Sequence, residues 1–319
     1  MRIVFCGTPS FAVPTLKHLL AQKDFEVAGV ITQPDRPRGR GHEVSFSAVK
    51  EAALAAKVAV HQPEKIRAAE SEALLRKLAP DYVMIIAYGQ IVPARLLPIP
   101  KLGWINLHAS LLPKYRGAAP INWAIANGGT LTGLTTMRID AGMDTGDMLL
   151  NRELEIGAHE TAPELTIRMA ELGAPLVAET LRGLAAGTII PRAQNNAEAS
   201  YAPLLKKEDG RIDWKRPAIE IYNRMRGFAP WPGAYTTFRG QSCHLWGEVV
   251  SKEGSASVPA GADPEPGTLF FEKNEFFVWC GDATVLRLRA VKLEGRKQVS
   301  AAEFANGAHL KSGERFGDT

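Results

Sequence analysis

Hydrophobic positions early in the chain fall into short unbroken runs separated by stretches of helical spacing. RIVFCG (2–7), EVAGVIT (26–32), DYVMIIA (81–87), WINLH (104–108) and LTTMRI (134–139) read as strands, and a brief VAV (58–60) joins them. Between them, 10–22, 47–56, 71–79 and 119–127 read as helices. Pro14 falls in a first helical turn, where a missing N–H costs least. Apolar strands alternating with helices predict an α/β fold on a doubly wound, mostly parallel, Rossmann-like sheet. A long helical segment at 162–187 closes this unit and is expected to break near Gly173, Ala174 and Pro175.

The pattern then changes. Residues 190–207 are polar and weakly periodic, which predicts a linker between a first domain at 1–189 and a second at 208–319. Short strand candidates follow at 234–238, 242–250, 267–272, 275–280 and 283–293. Arg239-Gly240 and Lys273-Asn274 suit tight turns, and 251–267 reads as a flexible loop. Ser300 with Glu303 three residues later is a capping box that should start a helix. Five or so short strands predict a small C-terminal OB-like β-barrel.

Composition narrows the classes. At 319 residues and 45% hydrophobic content, the chain can bury two cores. A net charge of +4 permits a polyanionic partner without demanding one. The three cysteines, Cys6, Cys243 and Cys280, are too scattered for a zinc site and odd in number for a disulfide framework, so reduced thiols are expected. The N-terminus has no long apolar signal-like region and no run approaches a membrane span. These features predict a soluble cytoplasmic protein, and a monomer is expected.

The candidate chemistry lies where the run at 104–108 ends. Side chains alternate along a strand, so Trp104, Asn106 and His108 share one face, with the last two about 6.6 Å apart along it. Ligands of open α/β sheets bind beyond the carboxyl ends of strands. An amide donates to an oxygen that becomes negative, and an imidazole exchanges protons near neutral pH; together they suit amine attack on a carbonyl. The alternative is a histidine satisfied by backbone at a strand end. The following strand leaves its apolar run at Asp140 and enters DAGMDTGD, where glycines flank Asp144 and bring an acid within reach of such a histidine. The acid spacing is not that of an EF-hand, and no metal is expected. GxGxxG, GxxxxGK[ST] and GxSxG are all absent, which argues against dinucleotide, P-loop and serine-hydrolase chemistry.

Asn-x-His followed by SLLPKYRGAAPI, with DAGMDTGD some thirty residues on, resembles the folate-dependent formyltransferase family. FCGTPSFAVPTL, VITQPDRPRGRG and YAPLLKKEDGRIDW are similar to the branch whose acceptor is methionyl initiator tRNA, and the likeness runs nearly end to end. It implies 10-formyltetrahydrofolate as formyl donor and direct transfer without a covalent enzyme intermediate. It further implies Asn106, His108 and Asp144 as the catalytic trio. Ser110, Leu111, Leu112 and Pro113 match the folate-binding segment, with Ile86, Tyr88 and Asp140 near the pterin. Packing is the alternative for Leu111 and Leu112. Arg36, Arg38 and Arg40 sit in a loop matching one that enters the tRNA acceptor stem, and Lys206 and Lys207 match basic linker positions. HEVSFS (42–47) departs from the family, which places lysines there. Trp231, between two prolines, is expected to pack rather than stack on a base. An amino-sugar N-formyltransferase, a formyltetrahydrofolate hydrolase and an inactive RNA-binding module are the competing functions.

Overall fold

The computed structural model describes residues 1–38, 43–250, 265–272 and 275–317, with backbone alone at 37, 38, 43 and 44. Arg40, the loop at 251–264 and the turn at Lys273-Asn274 lie outside the described residues. The chain divides into two compact units, 1–120 with 131–155 and 164–203, and 121–130 with 156–163 and 204–319.

The first unit is built on a seven-stranded sheet of order β5-β2-β1-β6-β7-β8-β9. Its strands are β1 (Arg2–Gly7), β2 (Glu26–Ile31), β5 (Val60–His61), β6 (Tyr82–Ile86), β7 (Gly103–His108), β8 (Leu131–Arg138) and β9 (Met148–Glu155). Every pairing from β5 to β7 is parallel, and β7-β8 and β8-β9 are antiparallel. β3 (Arg36–Arg38) and β4 (Glu43–Ser45) form a separate antiparallel pair. Its helices are α1 (Val13–Ala21), α2 (Ala48–Ala55), α3 (Ala69–Leu78) and nearly all of α5 (Ala162–Ala185), while α4 (Pro120–Ala126) falls almost wholly in the second unit. The Ser47 side chain accepts from Lys50 N and so caps α2, a contact worth about 1 kcal/mol. One face of the sheet presents Val4, Cys6, Val83, Ile85 and Trp104, with Leu75 of α3 in the same cluster.

The break expected near Pro175 is a correction: α5 runs unbroken through it. A proline inside a helix costs about 3 kcal/mol. Against that, Leu165, Met169, Leu176, Val177 and Leu181 are all buried, each burial worth roughly 1.5–3 kcal/mol. Gly173 also admits close packing, since a Cβ there would lie 2.6 Å from Leu107 Cδ2.

The second unit carries an antiparallel sheet of order β10-β11-β14-β13-β12, with β15 beside β14. These are β10 (Tyr235–Phe238), β11 (Gln241–Val249), β12 (Leu269–Glu272), β13 (Glu275–Trp279), β14 (Val285–Leu293) and β15 (Val299–Ser300). Arg239 and Gly240 both take positive φ in the two-residue β10-β11 turn. α6 (Ala218–Gly227) and α7 (Ala301–Ala308) pack on it, and Ser300 and Glu303 form the predicted capping box. The core joins Trp214, Ile221, Leu245, Val278, Leu286, Phe304 and Phe316. Trp231, expected to pack, is 55% exposed.

Candidate active site

β7 places Trp104, Asn106 and His108 on the face that presents Val83 and Ile85 of β6, and Asn106 pairs in register with Ile85. Trp104 is core and anchors the strand through its indole N–H to Leu96 O, 2.9 Å. Asn106, one pleat further on, is half-buried. No hydrogen bond reaches its side-chain amide among the described residues. His108 is 5% exposed. Its Nε2 lies 2.9 Å from Tyr115 O, and because a carbonyl only accepts, Nε2 donates. The backbone alternative raised for this histidine is therefore half true: one ring nitrogen is satisfied that way. The other, Nδ1, faces Asp144 Oδ2 at 3.6 Å, too long for a direct hydrogen bond.

Asp144 takes φ +55°, a left-handed conformation that non-glycine residues seldom adopt. Its Oδ2 accepts from Gly117 N at 2.9 Å. Gln194 Nε2 donates to both Asp144 O and Gly146 O, 2.8 Å each. Gln194 Oε1 in turn accepts from Arg116 Nε and Nη2, and Asn196 Oδ1 accepts from Nη2. Arg116 is 2% exposed. Residues 115–117 thus hold His108 through a carbonyl and Asp144 through an amide. Sequence reasoning missed Tyr115 and Gly117, which act through backbone, and Arg116 and Gln194, whose contact follows no periodicity.

The remaining candidates differ in burial and in their hydrogen-bond partners. Ser110 is buried, its hydroxyl donating to Lys114 O, and Thr135 Oγ1 ties Ser110 O to Leu112 N. Leu112 is buried, while Leu111 and Pro113 are half-buried. Ile86 and Tyr88 are buried, so the chain offers backbone there rather than side chains. Burial pushes the Tyr88 phenol up, and its hydroxyl has no partner among the described residues. Asp140 is exposed and accepts from Gly142 N and Thr145 Oγ1. Arg36, Lys206 and Lys207 are exposed. The Arg38 side chain and all of Arg40 fall outside what is described. The three cysteines are unbridged and buried, and burial pushes the Cys243 and Cys280 thiols up to about 12. Among the described residues no group of His, Cys, Asp and Glu is arranged to hold a metal, and no helix is long and apolar enough to cross a membrane.

The chain matches the family model for formyl transferase over residues 1–181 and that for the formyl transferase C-terminal domain over 204–309. Fold and sequence together define it as a formyl transferase of the folate-dependent class. It is 53% identical to the methionyl-tRNA formyltransferase of Solibacter usitatus, over 100% of this chain and 99% of that protein. It is 50% identical to the methionyl-tRNA formyltransferase of Acidobacterium capsulatum, over 99% of this chain and 100% of that one. The chain belongs to the methionyl-tRNA formyltransferase family. A crystal structure of an N-formyltransferase from Helicobacter canadensis, in complex with folinic acid and dTDP-3-aminofucose, shares the fold. The superposition has TM-score 0.64 at 20% identity and covers 90% of this chain and 98% of that one.

Proposed function

We propose that the protein moves the formyl group of 10-formyltetrahydrofolate to the α-amino group of methionyl initiator tRNA, as a cytoplasmic monomer and without a metal. The observation that carries this is a strand end where an amide without a partner among the described residues, Asn106, shares a face with a histidine set against a carboxylate. The naming of relatives at 53% and 50% identity supports the acceptor.

The folate supplies an activated formyl carbon on nitrogen. Asn106 and His108 donate hydrogen bonds to the formyl oxygen, which becomes negative as the amine adds to that carbon. Asp144 accepts a proton from the amine nitrogen, while His108, protonated, keeps its Nδ1–H on the oxygen, and a proton is returned to the departing folate nitrogen. The new bond is C–N to methionine and the bond broken is C–N to the folate, so no enzyme nucleophile is needed. Half-buried Leu111 and Pro113, beside buried Ser110 and Leu112, fit one side of a flat ring. The backbone at Ile86 and Tyr88 and the exposed Asp140 carboxylate fit its hydrogen-bonding edge. Arg36, Arg38, Arg40, Lys206 and Lys207 meet phosphates of the tRNA.

The test is one incubation of purified protein with 10-formyltetrahydrofolate and either methionyl-tRNA or an amino sugar. Formyl-methionyl-tRNA is the expected product. A formylated sugar, or free formate with no acceptor modified, would refute the acceptor assignment.

A further inference from the structure

Arg116 is an unusual charge. It is 2% exposed, yet its partners are two amide oxygens, those of Gln194 and Asn196, and no carboxylate pairs with it among the described residues. Burying a guanidinium is costly, and a neutral amide compensates it less well than an acid would. A purely structural site would be better served by glutamate at 194. A glutamate, however, has no N–H. The glutamine amide uses both ends: its oxygen takes Arg116, and its nitrogen reaches Asp144 O and Gly146 O at 2.8 Å each. The backbone around Arg116 does the rest. Gly117 N holds Asp144 Oδ2, and Tyr115 O holds His108 Nε2. Ser200 secures that stretch from the other side, accepting from Tyr115 N at 2.9 Å and Arg116 N at 2.8 Å.

We infer that Gln194, oriented by Arg116, is a positioning residue that sets the Asp144 carboxylate opposite His108. The inference rests on the roles proposed for those two residues. Gln194 lies in a stretch that reads as a linker in the sequence, and it touches neither reacting group; it acts through the backbone of the loop that carries Asp144.

The experiment compares wild type, Gln194→Glu, Gln194→Ala, Asp144→Asn and the double variant Asp144→Asn/Gln194→Glu in steady-state formylation of methionyl-tRNA, with melting temperatures alongside. Gln194→Glu keeps an acceptor for Arg116 and so keeps the fold, but turns oxygens toward two carbonyls. It should lower kcat by about 10- to 100-fold, the loss expected when a reacting group shifts by about 1 Å. Both KM values should stay within about threefold and the melting temperature should not fall. On the Asp144→Asn background the same change should lower kcat no further, because its effect runs through Asp144. A Gln194→Glu kcat within about twofold of wild type, or losses that multiply in the double variant, would overturn the inference alone. Wild type that forms no formyl-methionyl-tRNA would sink the reading of the site, and this inference with it.

Discussion

Replacing Asn106 by alanine isolates one hydrogen-bond donor with little collateral damage. The side chain is half-buried at the end of β7, and its amide has no partner among the described residues, so the substitution strands no donor or acceptor. The register neighbours, Ile85 and Met137, lie on the flanking strands, and the ladder bonds are unaffected by the side chain. Stability should therefore change by no more than about 0.5 kcal/mol, about 2 °C in melting temperature for a domain of this size. The catalytic cost should be much larger. Losing one donor to a developing oxyanion costs about 2.7–4 kcal/mol, a fall of about 10²–10³ in kcat. Because that charge exists only beyond the ground state, both KM values should hold. Steady-state formylation with each substrate varied in turn, with thermal unfolding on the same preparation, measures all three quantities. A variant with near-normal kcat and a folate KM raised tenfold would make Asn106 a ground-state binding residue and refute the reasoning.

Three further outcomes are expected. His108→Ala should cost about 10²–10⁴ in kcat and, unlike the asparagine change, also about 2–3 kcal/mol of stability in urea titration, since it opens a buried cavity and strands Tyr115 O. Gly117→Ala should destabilise by about 1–3 kcal/mol and lower kcat: its φ is +117°, a Cβ would stand 2.7 Å from Ala202 O, and its N–H is the one that holds Asp144. His61 has a buried Nε2 without a partner among the described residues, and burial, with Lys77 nearby, holds its pKa below the usual 6.5. A folded pKa below the unfolded one means that protonation favours unfolding, so this stability is present above about pH 6.5 and lost as pH falls below it. Melting curves at about pH 7.5 and 5.5 should show a smaller drop for His61→Gln than for wild type.

The first unit was legible because most of its strands are unbroken apolar runs, the signature of strands buried on both faces. β9 was not: it exposes Asn151, Arg152 and Glu153 in a row at the sheet edge, and no alternation survives. α6 escaped notice because its buried face contains Asn223 and Arg226. Those are satisfied by tertiary contacts, Arg226 donating to Gly157 O and Glu160 O, that no local pattern reveals. Asn106, His108 and Asp144 could be picked out because a strand end and a glycine-punctuated loop are local signals. Their supports could not, since backbone groups carry no residue signature and Arg116 meets Gln194 across 78 positions.

The conformation of Asp144 connects these levels. A φ of +55° costs a non-glycine residue about 1 kcal/mol or more, and glycine would relieve it, as at several turns in this chain. Glycine would also remove the carboxylate. The strain is offset locally by bonds from Gly117 N to the side chain and from Gln194 to the main chain, each worth about 0.5–1.5 kcal/mol. Two of these constraints bear on one residue from opposite sides, one from the segment after β7 and one from residue 194. Relaxing either lets the loop return toward ordinary backbone angles and swings the acid off His108. The loop's local sequence does not by itself account for this geometry; it needs residue 194, some fifty positions on in the same unit, where an amide alone can serve a buried cation and two carbonyls at once.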